Sequence, residues 1–141
     1  MATTIDMRLM RYINLFARTT RVQTRRVFLY NNQIVFAVPR AKVSSAIGKD
    51  AVNIKKLSEI LRRRIRVVAM PSVDDDEEIK KFVEDVVAPI EFNGVDVREN
   101  EVVINAGRQS KAALIGRGRI REKELGDALK DFFGIGRLRI A

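Results

Sequence analysis

Ile5, Leu9, Tyr12, Ile13 and Phe16 recur at spacings of three and four, which predicts a helix over residues 4–18 with Thr4 available as its N-cap. The period then changes. Residues 22–30 and 33–38 are rich in β-branched and aromatic side chains and are joined by Asn31-Asn32, a pair that tolerates positive φ and predicts a hairpin. Pro39 ends the second strand. Residues 42–47 predict a short helix stopped by Gly48, and Asp50 is placed to cap another, with Ile54, Leu57, Ile60 and Leu61 as its apolar stripe. Residues 65–70 read as a strand, and Pro71-Ser72 as a break. The predicted order is helix, strand, strand, helix, helix, strand.

The pattern then starts again. At an offset of 68, Val27 meets Val95, Val35 meets Val103, Ile47-Gly48 meets Ile115-Gly116, Lys55 meets Lys123, Leu57 meets Leu125 and Leu61 meets Leu129. The chain is therefore a tandem duplication, and the folding unit is half of it. In the second half, Ile79, Phe82, Val83, Val86 and Val87 predict a helix opened by residues 74–78. Strands follow over 90–97 and 101–106, then a short helix to Ile115, a longer one over 120–133 and a strand over 137–140. The expected fold is α+β, with units at residues 1–71 and 72–141, each a three-stranded sheet covered by helices.

Composition narrows the chemistry. Cysteine, histidine and tryptophan are absent from the 141 residues, which removes disulfides, thiolates, the commonest general base and the commonest zinc ligand. Nothing brings a nucleophile, base and oxyanion donor together, so an enzyme is not expected. The apolar runs are short, so a soluble, cytoplasmic protein without a membrane partner is expected. The run Asp74 to Glu78 reads as acidic residues favoured at a helix start, because a calcium loop would need a glycine turn and none follows. No metal, cofactor or small-molecule substrate is expected.

The net charge of +9 is unevenly placed. Residues 40–66 carry 9 basic against 2 acidic residues and 107–140 carry 9 against 4, whereas 73–101 carry 3 against 11. Both glycine turns thus lie in basic segments, as a face for a polyanion would. With only two tyrosines and seven phenylalanines, mostly at apolar-stripe positions, a base-stacking platform is not expected. A nucleotide P-loop is excluded, since Val43 stands where its first glycine belongs and Asp50 where its hydroxyl belongs. One Gly-Lys corner between helices would read as an ordinary turn with a solvated lysine. Two in the same slot, each with basic neighbours, read as phosphate-binding sites. The first brings Arg40, Lys42, Lys49, Lys55, Lys56 and Arg62-Arg63-Arg64; the second brings Arg108, Lys111, Arg117, Arg119, Arg121 and Lys123.

These residues resemble the KH domain of the second topological type, α-β-β-α-α-β, whose signature is I-G-x-x-G-x-x-I. Ile47, Gly48, Lys49, Asp50, Val52, Asn53 and Ile54 fit it, with Ala51 at the second glycine. In the second copy Gly116 fits, Gly118 comes one place early, and Glu122 stands at the groove isoleucine. A tandem pair of such units resembles the archaeal NusA-like transcription termination factors. The resemblance implies that each turn clamps the backbone of about four unpaired nucleotides while an adjoining groove reads bases. The implied RNA contacts are Arg40, Lys42, Ile47, Gly48, Lys49, Asp50, Ala51, Asn53, Ile54 and Lys56, and Arg108, Lys111, Gly116, Arg117, Gly118, Arg119 and Arg121. It implies single-stranded RNA as partner, RNA polymerase as a further one, and a role in transcription termination or elongation. Ribosome assembly, and a protein-interaction scaffold with degenerate turns, are the alternatives the residues leave open.

Overall fold

The computed structural model describes residues 7–24, 26–71 and 75–141. Thr4, Ile5 and Asp74, assigned above to helix starts, lie outside them. The chain divides into two compact units, Met1–Met70 and Pro71–Ala141. The architecture is α+β, two similar halves each with a three-stranded sheet flanked by helices.

The first unit comprises α1 (Met7–Thr20), β1 (Arg26–Tyr30), β2 (Gln33–Val38), α2 (Val43–Ile47), α3 (Val52–Leu61) and β3 (Arg64–Ala69). Asn31 and Asn32 have φ of 51° and 61°, the pair of left-handed residues that a two-residue hairpin needs, so β1 and β2 pair antiparallel. The two helices then carry the chain back across the sheet, and β3 pairs parallel to β2 with Gln33 opposite Arg64. Tyr12, Phe16 and Thr20 form the buried stripe of α1, and the Phe16 ring stacks on Phe36 of β2 at 4.2 Å between centroids. Ile34, Val38, Ala46, Leu57 and Ile65 complete that core.

The second unit comprises α4 (Asp76–Val87), β4 (Gly94–Arg98), β5 (Glu101–Asn105), α5 (Arg108–Ile115), α6 (Ile120–Phe133) and β6 (Arg137–Ile140). Its first two strands sit 68 residues after their counterparts, but its last strand sits 73 after. Register shows the same step: Glu101 lies opposite Arg137 where Gln33 lies opposite Arg64. The five extra residues lengthen α6 by about a turn and the loop after it by one residue, the left-handed corner at Gly134 having its counterpart at Arg62. Phe132 and Phe133 from that added turn both pack on Phe82, at 4.8 and 5.5 Å.

Three expectations shift. β1 begins at Arg26 instead of residue 22, because the Thr24 hydroxyl donates to the Ala37 carbonyl at 2.6 Å and accepts from the Arg26 amide at 3.2 Å. Thr24 therefore marks a side-chain bracket against the sheet, and Val22 is a buried core residue. β4 begins at Gly94 instead of residue 90, since Ala88 to Asn93 form the corner after α4. Asp50 does not cap α3, as set out below. At α4, by contrast, the Asp75 carboxylate accepts from the Glu78 amide at 2.9 Å, which makes this part of the acidic run a helix cap.

Candidate nucleic-acid interface

Each unit turns from its short helix into its long one through the same backbone. The Gly48 amide donates to Ser44 O at 2.9 Å and ends α2; the Gly116 amide donates to Ala112 O at 3.0 Å and ends α5. Gly48 has φ/ψ of 82°/167° and Gly116 76°/171°. Two left-handed residues follow the intervening cation: Asp50 (54°/30°) and Ala51 (58°/31°) in the first copy, Gly118 (63°/21°) and Arg119 (63°/23°) in the second. Ala51 and Arg119 each donate back to their glycine carbonyl at 3.1 Å. No side chain caps α3 or α6, so these helices open without the carboxylate that covers the start of α4.

The glycines answer first to the fold. Their φ lies in a region almost closed to other residues. A Cβ on Gly48 would stand 2.9 Å from Val52 Cγ1, and one on Gly116 would stand 2.8 Å from Arg121 Cγ. The close approach that the sequence reserved for a ligand backbone is thus already used by the protein's own side chains. Gly118 differs, with nothing within 4 Å of its missing Cβ.

Asn53 and Arg121 hold the turns closed. Asn53 Nδ2 donates to Ser45 O at 3.3 Å, and a guanidinium nitrogen of Arg121 donates to Ala113 O at 3.1 Å. These are equivalent positions in the two copies: unlike side chains reach back across the glycine to the same carbonyl. Both were assigned to RNA, and the structure gives each a role in bracing the turn.

The other predicted residues separate into two groups. Lys49 and Arg117 stand exposed on the turns themselves, beside Asp50 and Arg119. Arg108 opens α5, about 12 Å along the helix from Gly116, while Arg40 begins the 3₁₀ turn that precedes α2. Lys42 lies on the 3₁₀ turn before α2, and Lys56 is exposed one turn into α3.

The groove beside each turn differs between copies. In the second unit a cleft of about 390 Å³ opens between α5, the turn, α6 and β6. Ile115, Leu138 and Ile140 supply its apolar lining; Lys111, Arg119, Arg137 and Arg139 supply four cations. Glu122 enters it too, paired with Arg119 at 3.0 Å. Arg137 and Arg139 also approach Glu101, at 3.6 and 3.8 Å. These two arginines were assigned above only to the last strand. Their alternation with Leu138 and Ile140, beside a basic turn, was the signal available. In the first unit Ile54 replaces Glu122 and packs, half-buried, on the core, while Arg66 donates to Gln33 Oε1 at 3.2 Å.

No family model matches the chain. A probable transcription termination protein NusA from Methanococcus vannielii is 28% identical over 94 residues, covering 65% of this chain and 51% of its own. The chain is similar to NusA. It spans about half the length of that curated relative. A solved crystal structure, of APE1850, shares the fold over 97% of this chain and 100% of its own, with a TM-score of 0.66 and 29% identity. The likeness to NusA is distant, and with the paired α+β halves it supports a NusA-like, KH-like family. Among the described residues, no helix is long and apolar enough to cross a membrane, and no group of three acidic side chains could hold a metal ion.

Proposed function

We propose that the chain is a single-stranded RNA-binding protein, acting as tandem type II KH domains in transcription termination or elongation. The observation that carries the reading is the duplicated turn. Two segments of unlike sequence hold the same positive-φ glycine and left-handed pair, present an exposed cation at the tip, and lead into an uncapped helix start. A helix N-terminus favours an anion, and Lys49 and Arg117 add charge at the same place. The apolar strip beside each turn gives a base face somewhere to lie. On this reading the protein is a binding module, not a catalyst. Its partners are RNA and, as the likeness to NusA suggests, RNA polymerase in the cytoplasm.

Filter binding of an unstructured RNA at two salt concentrations, with duplex DNA as competitor, tests this. Single-stranded RNA is expected to bind in preference to the duplex. Lys49→Ala and Arg117→Ala are each expected to reduce the salt slope by about 0.7, the value for one phosphate contact on a single strand. Equal competition by duplex DNA would mean that bulk charge alone is at work.

A further inference from the structure

The first unit has a second groove, of about 450 Å³, between α1 and α3. Met7, Met10 and Ile60 line it while 78%, 42% and 50% exposed. Arg11, Asn14 and Arg18 line it as well, and with Met7 they fall on one stripe of α1 at spacings of four, three and four. None of these three polar side chains has a hydrogen bond or ion pair among the described residues.

The fold does not require this face. Tyr12, Phe16 and Thr20 of α1 correspond to Ile79, Val83 and Val87 of α4, all buried. That correspondence sets Met10 against Glu77, Arg11 against Glu78 and Arg18 against Asp85. Ile60 corresponds to Ala128, which is 3% exposed. At these positions the second unit therefore carries Glu77, Glu78 and Asp85 on α4, with Lys81 against Asn14, and a small buried residue on α6. The first unit keeps large apolar side chains in water beside unpaired arginines, a combination that marks an interaction surface.

We propose that this groove binds an acidic amphipathic helix of a partner protein. Met7, Met10 and Ile60 seat its apolar stripe, and methionine side chains adapt readily to such a surface. Arg11 and Arg18, about 10 Å apart along α1, meet its carboxylates. The groove spans about 16 Å, room for about three turns of helix. RNA fits less well, because phosphates would meet the arginines and leave the methionines and Ile60 in water. A second copy fits less well, because α4 offers acid but buries Ile79, Phe82, Val83 and Val86 in its own core.

The test uses the full chain and a labelled helical peptide of leucine and glutamate, apolar at i, i+3 and i+7. Binding is followed by anisotropy and by NMR of methionine and isoleucine methyl groups. The methyls of Met7, Met10 and Ile60 are expected to shift first. Met10→Glu with Ile60→Glu, both exposed and so harmless to folding, should weaken binding about tenfold or more, as loss of two apolar contacts requires. A leucine–lysine peptide should bind more weakly. Lys49→Ala should leave peptide affinity unchanged, which keeps this site separable from the RNA turns. Absence of peptide binding, equal binding of the lysine peptide, or shifts confined to other residues would overturn the proposal. So would the same methyl shifts produced by unstructured RNA or by raising the protein concentration alone.

Discussion

The first and second turns share a backbone but differ in how well their residues suit it. In the first, Asp50 and Ala51 both sit in the left-handed region, where a Cβ costs about 1–2 kcal/mol and aspartate is better tolerated than alanine. In the second, Gly118 takes one of those positions without that cost, and only Arg119 carries it. Charge differs as well. Lys49 is neighboured by Asp50, whereas Arg117 is neighboured by Arg119 and Arg121, with Glu122 offsetting one of them. The second turn is the easier to hold and the more basic; the first carries Ile54 where the second carries Glu122. Duplication kept the conformation and let the two turns diverge, one carrying an apolar side chain and the other more positive charge.

The largest effects should come from the conformation the turns share. Gly48→Ala and Gly116→Ala are each expected to cost about 2–4 kcal/mol in urea unfolding, from forbidden φ and from contact with Val52 or Arg121. Gly118→Ala should cost only about 1 kcal/mol, since its φ is left-handed but its surroundings are open. Equal losses at all three would contradict the idea that the outer glycines brace the fold. For the same reason aspartate at position 48 would disrupt the turn before it tested any phosphate contact.

Next in size is RNA affinity. Lys49→Ala with Arg117→Ala should lower it about tenfold at low salt, with little effect on the melting temperature, as removal of two exposed charges predicts. If the turns have diverged as described, Arg117→Ala alone accounts for more of the loss than Lys49→Ala. The reverse ranking in a binding titration would invert the comparison.

A smaller change tests the ion pair. Glu122→Gln releases Arg119 and removes an anion from the second groove, so RNA should bind a few-fold more tightly, the scale of an exposed pair. An unchanged or weaker complex would mean that Glu122 contacts RNA itself. The smallest effect is Ala51→Gly, expected to stabilise the first unit by about 0.5–1 kcal/mol in urea melts, because it relieves a left-handed alanine.

Much of this was legible from residues, and the gaps have physical reasons. The offset of 68 carried the elements from the first hairpin through the long helix, with α1 and α4 matching at one residue less, and Asn31-Asn32 announced that hairpin. The offset could not reveal the five-residue insertion, because matches stop at Leu129 and an amphipathic helix can lengthen by a turn without changing its pattern. Asp50 misled because aspartate before a helix is most often a cap. Gly118 at the equivalent position was the clue that this slot is left-handed. The common role of Asn53 and Arg121 was invisible, since an amide and a guanidinium look unrelated until both are seen donating to the same carbonyl. Arg137 and Arg139 were missed because a four-residue strand does not show which groove it borders.

On the proposed reading, the two equivalent turns hold a single strand. Amide NMR of the full chain, titrated with an unstructured oligoribonucleotide, tests it most directly. The largest shifts are expected at residues 48–52 and 116–120, and a DNA duplex should not reproduce them. Shifts confined to arginine side chains or to α1 and α4, with both turns unmoved, would contradict it.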